Sequence, residues 1–183
     1  MTPLPLLWLP ILVSAVFVFI AANLLWMALP FWHRKDYHRL GNEGTILGAL
    51  RDVRSGQYVA PMMDWKNTTP EQRAEAQKGP MATIIVRNPG TFSFPATLLK
   101  YFIFLIVVST FVAYLTGVTL APGTDYMRVF RVAGTAGVLA YAFNSIADSI
   151  WYGKPWSVTF KTVIDGVIFG LLIAGTFGWL WPR

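Results

Sequence analysis

The chain contains no cysteine among its 183 residues. Disulfides, thiol catalysis, thiolate metal sites and cysteine-held iron–sulfur clusters are therefore excluded. Charge is also scarce: Asp, Glu, Lys and Arg make up 13%, against 55% hydrophobic residues. A soluble domain carries about twice that share of charge. No P-loop, GxSxG elbow or glycine-rich dinucleotide turn is present, so the usual signatures of nucleotide and acyl-transfer chemistry are missing.

What is present is apolar sequence in long runs. Segment one, about 10–29, reads PILVSAVFVFIAANLLWMAL without a charge. About 20 apolar residues suffice to cross a bilayer as a helix. No Lys or Arg precedes this run, while Arg34, Lys35 and Arg39 follow it. That order points to a retained helix rather than a cleaved leader. Three more segments follow, at about 98–120, 126–152 and 157–181. Ala121-Pro122-Gly123 and Gly153-Lys154-Pro155 separate them. The expected fold is an all-α integral membrane protein with four transmembrane helices. Residues 1–183 are read as a single membrane domain with a polar excursion at 31–97.

Within the excursion, Asn42 is placed to cap a short helix from Glu43 to about Arg54. Thr69-Pro70-Glu71-Gln72 has the form of a capping box, with proline at the first helical position and Gly79 as the stop. Residues 81–87 (MATIIVR) suit a short strand, and Asn88-Pro89-Gly90 a turn.

The net charge of +6 gives an orientation. Residues 31–100 hold ten of the fifteen Lys and Arg. The positive-inside rule then puts the excursion in the cytoplasm and both termini outside. Tryptophans agree. Trp8, Trp179 and Trp181 fall at the outer boundary, and Trp26, Trp32, Trp151 and Trp156 at the inner one, where an indole finds both apolar and polar surroundings. Arg128 and Arg131, near Asp125, read as interfacial anchors, with an anionic lipid or cofactor headgroup as the alternative. The basic surplus thus points to lipid rather than nucleic acid.

Charges inside apolar segments need partners. Segment three carries Asn144 and Asp148; segment four carries Lys161 and Asp165. Each pair is spaced i,i+4 and shares a helical face. Across the short 153–155 connection the four residues come into register, so they are expected to form one intramembrane polar cluster. Asp148 and Lys161 are its central ion pair. The plainer reading is structural; the sharper one is an ion or proton site with Asp165 as the titrating group. His33 and His38 lack the i,i+4 spacing of a helical metal pair and read as juxtamembrane polar residues. No metal ligand set and no cofactor are expected.

Small residues recur every four positions on segment four: Gly166, Gly170, Ala174 and Gly178. Ala136 and Ala140 stand in the same row as Asn144 and Asp148 on segment three. Such rows let backbones approach closely in lipid. They imply helix packing within one chain or toward another subunit.

The opening WLPILVSAVFVFIAA, the HRKDY stretch, and the closing IWYGKPWS and AGTFGWLWPR resemble an uncharacterised family of bacterial four-helix integral membrane proteins. The resemblance spans nearly the whole chain and implies topology, with no activity attached. The expected role is a non-catalytic accessory or scaffold subunit of a membrane assembly, with other membrane subunits or further copies of itself as partners. The alternative is a small transporter or channel using the polar cluster. An enzyme is disfavoured for want of a nucleophile or metal set.

Overall fold

A computed structural model of the chain describes residues 1–64 and 66–183. It is mostly helical, and four helices are long and apolar enough to cross a membrane: Leu4–Ala28, Phe94–Thr119, Tyr126–Tyr152 and Trp156–Trp179. The first contains α1 (Trp8–Asn23), entered through a 3₁₀ turn and left through a π turn at Leu24–Ala28. The chain divides into two compact units rather than the single domain expected. One comprises Met1–His38 with Phe94–Arg183, the other Arg39–Ser93.

The second unit holds α2 (Glu43–Ala49), β1 (Gly56–Ala60), α3 (Pro70–Ala76) and β2 (Ala82–Val86). The expected capping box is formed: the Gln72 amide donates to Thr69 Oγ1, and the Gln72 side chain accepts from the Thr69 amide. Helix α2 starts after Asn42 as expected but stops at Ala49, short of Arg54. The strand expected around 81–87 is β2. Its antiparallel partner β1, in register from Gly56↔Val86 to Ala60↔Ala82, was not expected. The β1 sequence GQYVA lacks the apolar alternation that marks a strand with one buried face, and the whole strand is exposed.

The first unit is the helical bundle. Its helices are α1, α4 (Phe94–Thr119), α5 (Tyr126–Ala142), α6 (Asn144–Tyr152) and α7 (Trp156–Trp179). Helix α1 packs on α4 and α7, α4 also packs on α5, and the α5–α7 seam closes the ring. One row of the first span is buried: Leu7 of the 3₁₀ turn, then Ile11, Ala15, Val18 and Ala22 of α1. Those positions repeat at three- and four-residue intervals and so share a helical face. Leu105, Val112 and Ala113 of α4, Val129 and Ala133 of α5, and Phe169, Ile173 and Phe177 of α7 complete the core. Ser14 of α1 donates to Ser109 of α4 at 3.1 Å, a buried polar link between two otherwise apolar helices. Facing outward are Phe17, Ile20, Ile103, Phe111 and Leu115. Apolar residues on both faces are what a lipid-bathed helix requires.

The third span is broken. Helix α5 ends at Ala142 and α6 begins at Asn144, with Phe143 between them. Ser145 Oγ donates to the Ala142 carbonyl at 3.3 Å. Asn and Ser offer the backbone such local alternatives to helical bonding.

The small-residue row of α7 faces α5. A Cβ on Gly166 would lie 2.6 Å from the Ala142 backbone, one on Gly170 2.7 Å from the Val138 amide nitrogen, and one on Gly178 2.6 Å from the Tyr126 ring. Ala174 meets Gly134. The partner row on α5 differs from the one expected. Ala133, Gly134, Gly137 and Ala142 are buried, whereas Ala140 is exposed and Ala136 only partly covered. Ala136 precedes the buried Gly137 by a single residue, which turns it about 100° away around the helix.

Candidate functional site

Two charged residues of α7, Lys161 and Asp165, sit one turn apart on the same face. Their partners come from the turn that follows the first span, not from the third. This turn is itself folded: Trp32 N–H donates to the Leu29 carbonyl at 3.1 Å and Asp36 N–H to the His33 carbonyl at 3.0 Å. It thereby presents Trp32, His33 and Asp36 together.

His33 lies between two carboxylates. Its Nδ1 is 2.7 Å from Asp36 Oδ2 and its Nε2 is 2.6 Å from Asp165 Oδ2. The other Asp165 oxygen accepts from Trp32 Nε1 at 2.7 Å. The other Asp36 oxygen accepts from Lys161 Nζ at 2.5 Å, and Nζ also donates to the Trp32 carbonyl at 2.6 Å. All four carboxylate oxygens and both ring nitrogens are thus engaged. His33 and Asp165 are each only 2% exposed, so these are buried ionic contacts. The Trp26 ring stacks on His33 at 4.0 Å and 11°, which fixes the plane of the imidazole.

An ionised carboxylate only accepts hydrogen bonds. Each ring nitrogen of His33 thus faces one carboxylate oxygen at hydrogen-bond distance, and the imidazole bridges the two acids. Around Asp36, burial pushes the carboxyl up. The hydrogen bonds and charges of Lys161 and His33 outweigh that and hold it below its ordinary value.

The cluster expected from sequence is only half assembled. Lys161 and Asp165 belong to the network; Asn144 and Asp148 do not. Asn144 is exposed. Asp148 is half exposed and 3.9 Å from Lys154, so the expected Asp148–Lys161 pair is replaced by Asp36–Lys161. The seam between α6 and α7 is lined instead by Ser145 and Ser149, with Ser149 Oγ 2.5 Å from Thr159 Oγ1. Asn144 and Asp148 each precede one of these serines by a single residue, which turns them about 100° away around the helix.

The residues missed by sequence reading are His33, Asp36 and the indole N–H of Trp32. The available signal was the demand itself. Two ionisable groups inside α7 call for counter-groups, and the HRKD stretch beside the first span is rich in them.

Of the expected boundary tryptophans, Trp8, Trp26, Trp151, Trp156 and Trp179 are exposed near helix ends. Trp32 is instead part of the network. Trp181 is buried, donating Nε1–H to the Ala121 carbonyl at 3.0 Å. Arg128 and Arg131 are exposed at the start of α5; Asp125 caps that helix by accepting from the Arg128 amide. Among the described residues no group of three or more His, Asp and Glu is arranged to hold a metal ion.

The four apolar spans and the buried ionic network define a multi-pass helical membrane protein. No protein-family model, curated protein or solved structure matches the chain.

Proposed function

We propose that this chain is a non-catalytic accessory or scaffold subunit of a bacterial inner-membrane assembly. Its ionic network acts as a clasp, fixing the turn after the first span to α7. The observation that carries this reading is saturation. Each carboxylate oxygen of Asp36 and Asp165, and each nitrogen of His33, is spent on another member of the network. A substrate site keeps donors or acceptors aimed at the ligand; here they are aimed at each other. The exposed apolar faces of the spans then serve lipid and neighbouring subunits. The excursion is assigned to the cytoplasm and both termini to the periplasm from the Lys and Arg distribution.

Purification in mild detergent followed by mass spectrometry tests the role. A stoichiometric membrane partner is expected. A pure homo-oligomer that conducts ions in proteoliposomes overturns it. The orientation is tested with Glu75→Cys in this cysteine-free chain: labelling only from the periplasmic side reverses it.

A second reading rests on one feature. An imidazole bonded to a carboxylate at each nitrogen can accept a proton on one side and release it on the other. A small proton transporter would use that relay, and His33→Gln would then abolish proton flux while the fold survives.

A further inference from the structure

At the end of the bundle away from the clasp, Arg131 stands beside a groove of about 510 Å³ on the flank of α5 and α7. The groove runs along Gly134, Thr135 and Val138 to Phe143, with Leu171 of α7 on its far wall. Its origin lies in the packing. Gly134 has no side chain because Ala174 approaches it, and Thr135 beside it is small. Phe143 lines it at the end farther along the span from Arg131.

Arg131 has no ion-pair or hydrogen-bond partner among the described residues, and it lies within the span that begins at Tyr126. Five residues of helix put its Cα about 7–8 Å past the start of that span. Long side chains on a helix lean toward its N-terminus, so the guanidinium reaches back toward the membrane surface. A cation at headgroup level thus sits at the head of an apolar channel leading deeper.

We propose that this groove binds an anionic phospholipid from the adjoining leaflet, with the phosphodiester at Arg131 and one acyl chain along Gly134–Phe143. Charge complementarity selects the headgroup, because a guanidinium pairs with phosphate oxygens in a fork geometry. The apolar lining accepts the chain. Arg128, also exposed at the start of α5, does not line the groove and serves as the internal control.

The test reconstitutes the full chain in nanodiscs of equal phosphatidylglycerol and phosphatidylcholine, then counts retained lipids by native mass spectrometry. The unaltered chain is expected to retain phosphatidylglycerol preferentially. Arg131→Gln is expected to weaken that preference roughly fivefold, the factor of one cationic contact at a membrane surface. Arg128→Gln is expected to leave it intact. Thr135→Trp, which fills the groove without touching the charge, is expected to lose the retained lipid of either headgroup. Leu139→Trp is the second filling variant should Thr135→Trp not fold, since Leu139 also lines the groove and is exposed. Equal losses in Arg131→Gln and Arg128→Gln would mean diffuse attraction and overturn the site. So would unchanged retention in the folded tryptophan variants, or displacement of the lipid by free laurate alone with no phosphatidylglycerol preference.

Discussion

Helix α7 is held on two sides by opposite means. Toward α5 it presents Gly166, Gly170 and Ala174, and the contact is made of backbone and Cβ atoms at van der Waals range. Toward the turn after the first span it presents Lys161 and Asp165, and the contact is made of charges and protons. The difference follows from what lies on the other side. A second apolar helix gains nothing from the hydrophobic effect in lipid, so only close packing can bind it. A polar turn brought against the bundle carries N–H, imidazole and carboxylate groups that must be satisfied, so it is bound by satisfying them.

The ionic side should give the largest single-residue effect. Lys161→Met leaves Asp36 buried without its ammonium partner and is expected to cost about 3 kcal/mol, as breaking a buried pair does. Asp36→Asn in the same chain should recover part of it. A double-mutant cycle in a reversible unfolding assay measures this, and strict additivity would dissolve the pair.

The packed side should come next. Gly166→Leu and Gly170→Leu are each expected to cost about 1–3 kcal/mol, since the added atoms meet backbone at Ala142 and both backbone and the side chain of Val138. Thermal unfolding in detergent is the measurement; unchanged midpoints for both would show that α5 and α7 do not approach this closely.

Acid should loosen the ionic side alone. The Asp36 carboxyl is held below its ordinary value of 3.8. A depressed carboxyl contributes stability that is complete above the unfolded value and is lost as pH falls through the folded one. The Asp36 contribution should therefore persist at pH 5 and fade only below about 3.8. An NMR titration of the Asp36 carboxyl carbon with a midpoint above 3.8 would reverse the sign. The smallest effect belongs to Asp148→Asn, outside both contacts, which should move stability by no more than about 0.5 kcal/mol in the same unfolding assay.

The spans were legible in sequence because each is a long uncharged or nearly uncharged run with a proline or glycine stop. Lys161 and Asp165 were legible as well, since an ionisable group within such a run stands out. Their partners were not. The i,i+4 match between segments three and four selects the Asn144–Asp148 face of the third span, whereas the buried face is the neighbouring one through Gly137, Ser145 and Ser149. His33 was passed over because its spacing from His38 suits no metal. Its role depends on Asp165, 132 residues away, a distance that local pattern does not span.

The clasp also has an electrical property. Lys161 sits against the Asp36 carboxylate, and an ammonium paired with a carboxylate carries no net charge. A membrane potential does work on net charge, about 2.3 kcal/mol per elementary charge for each 100 mV crossed. On that pair taken as a unit it does none. Lys161→Met would leave the pair at −1 and make its position depend on the field.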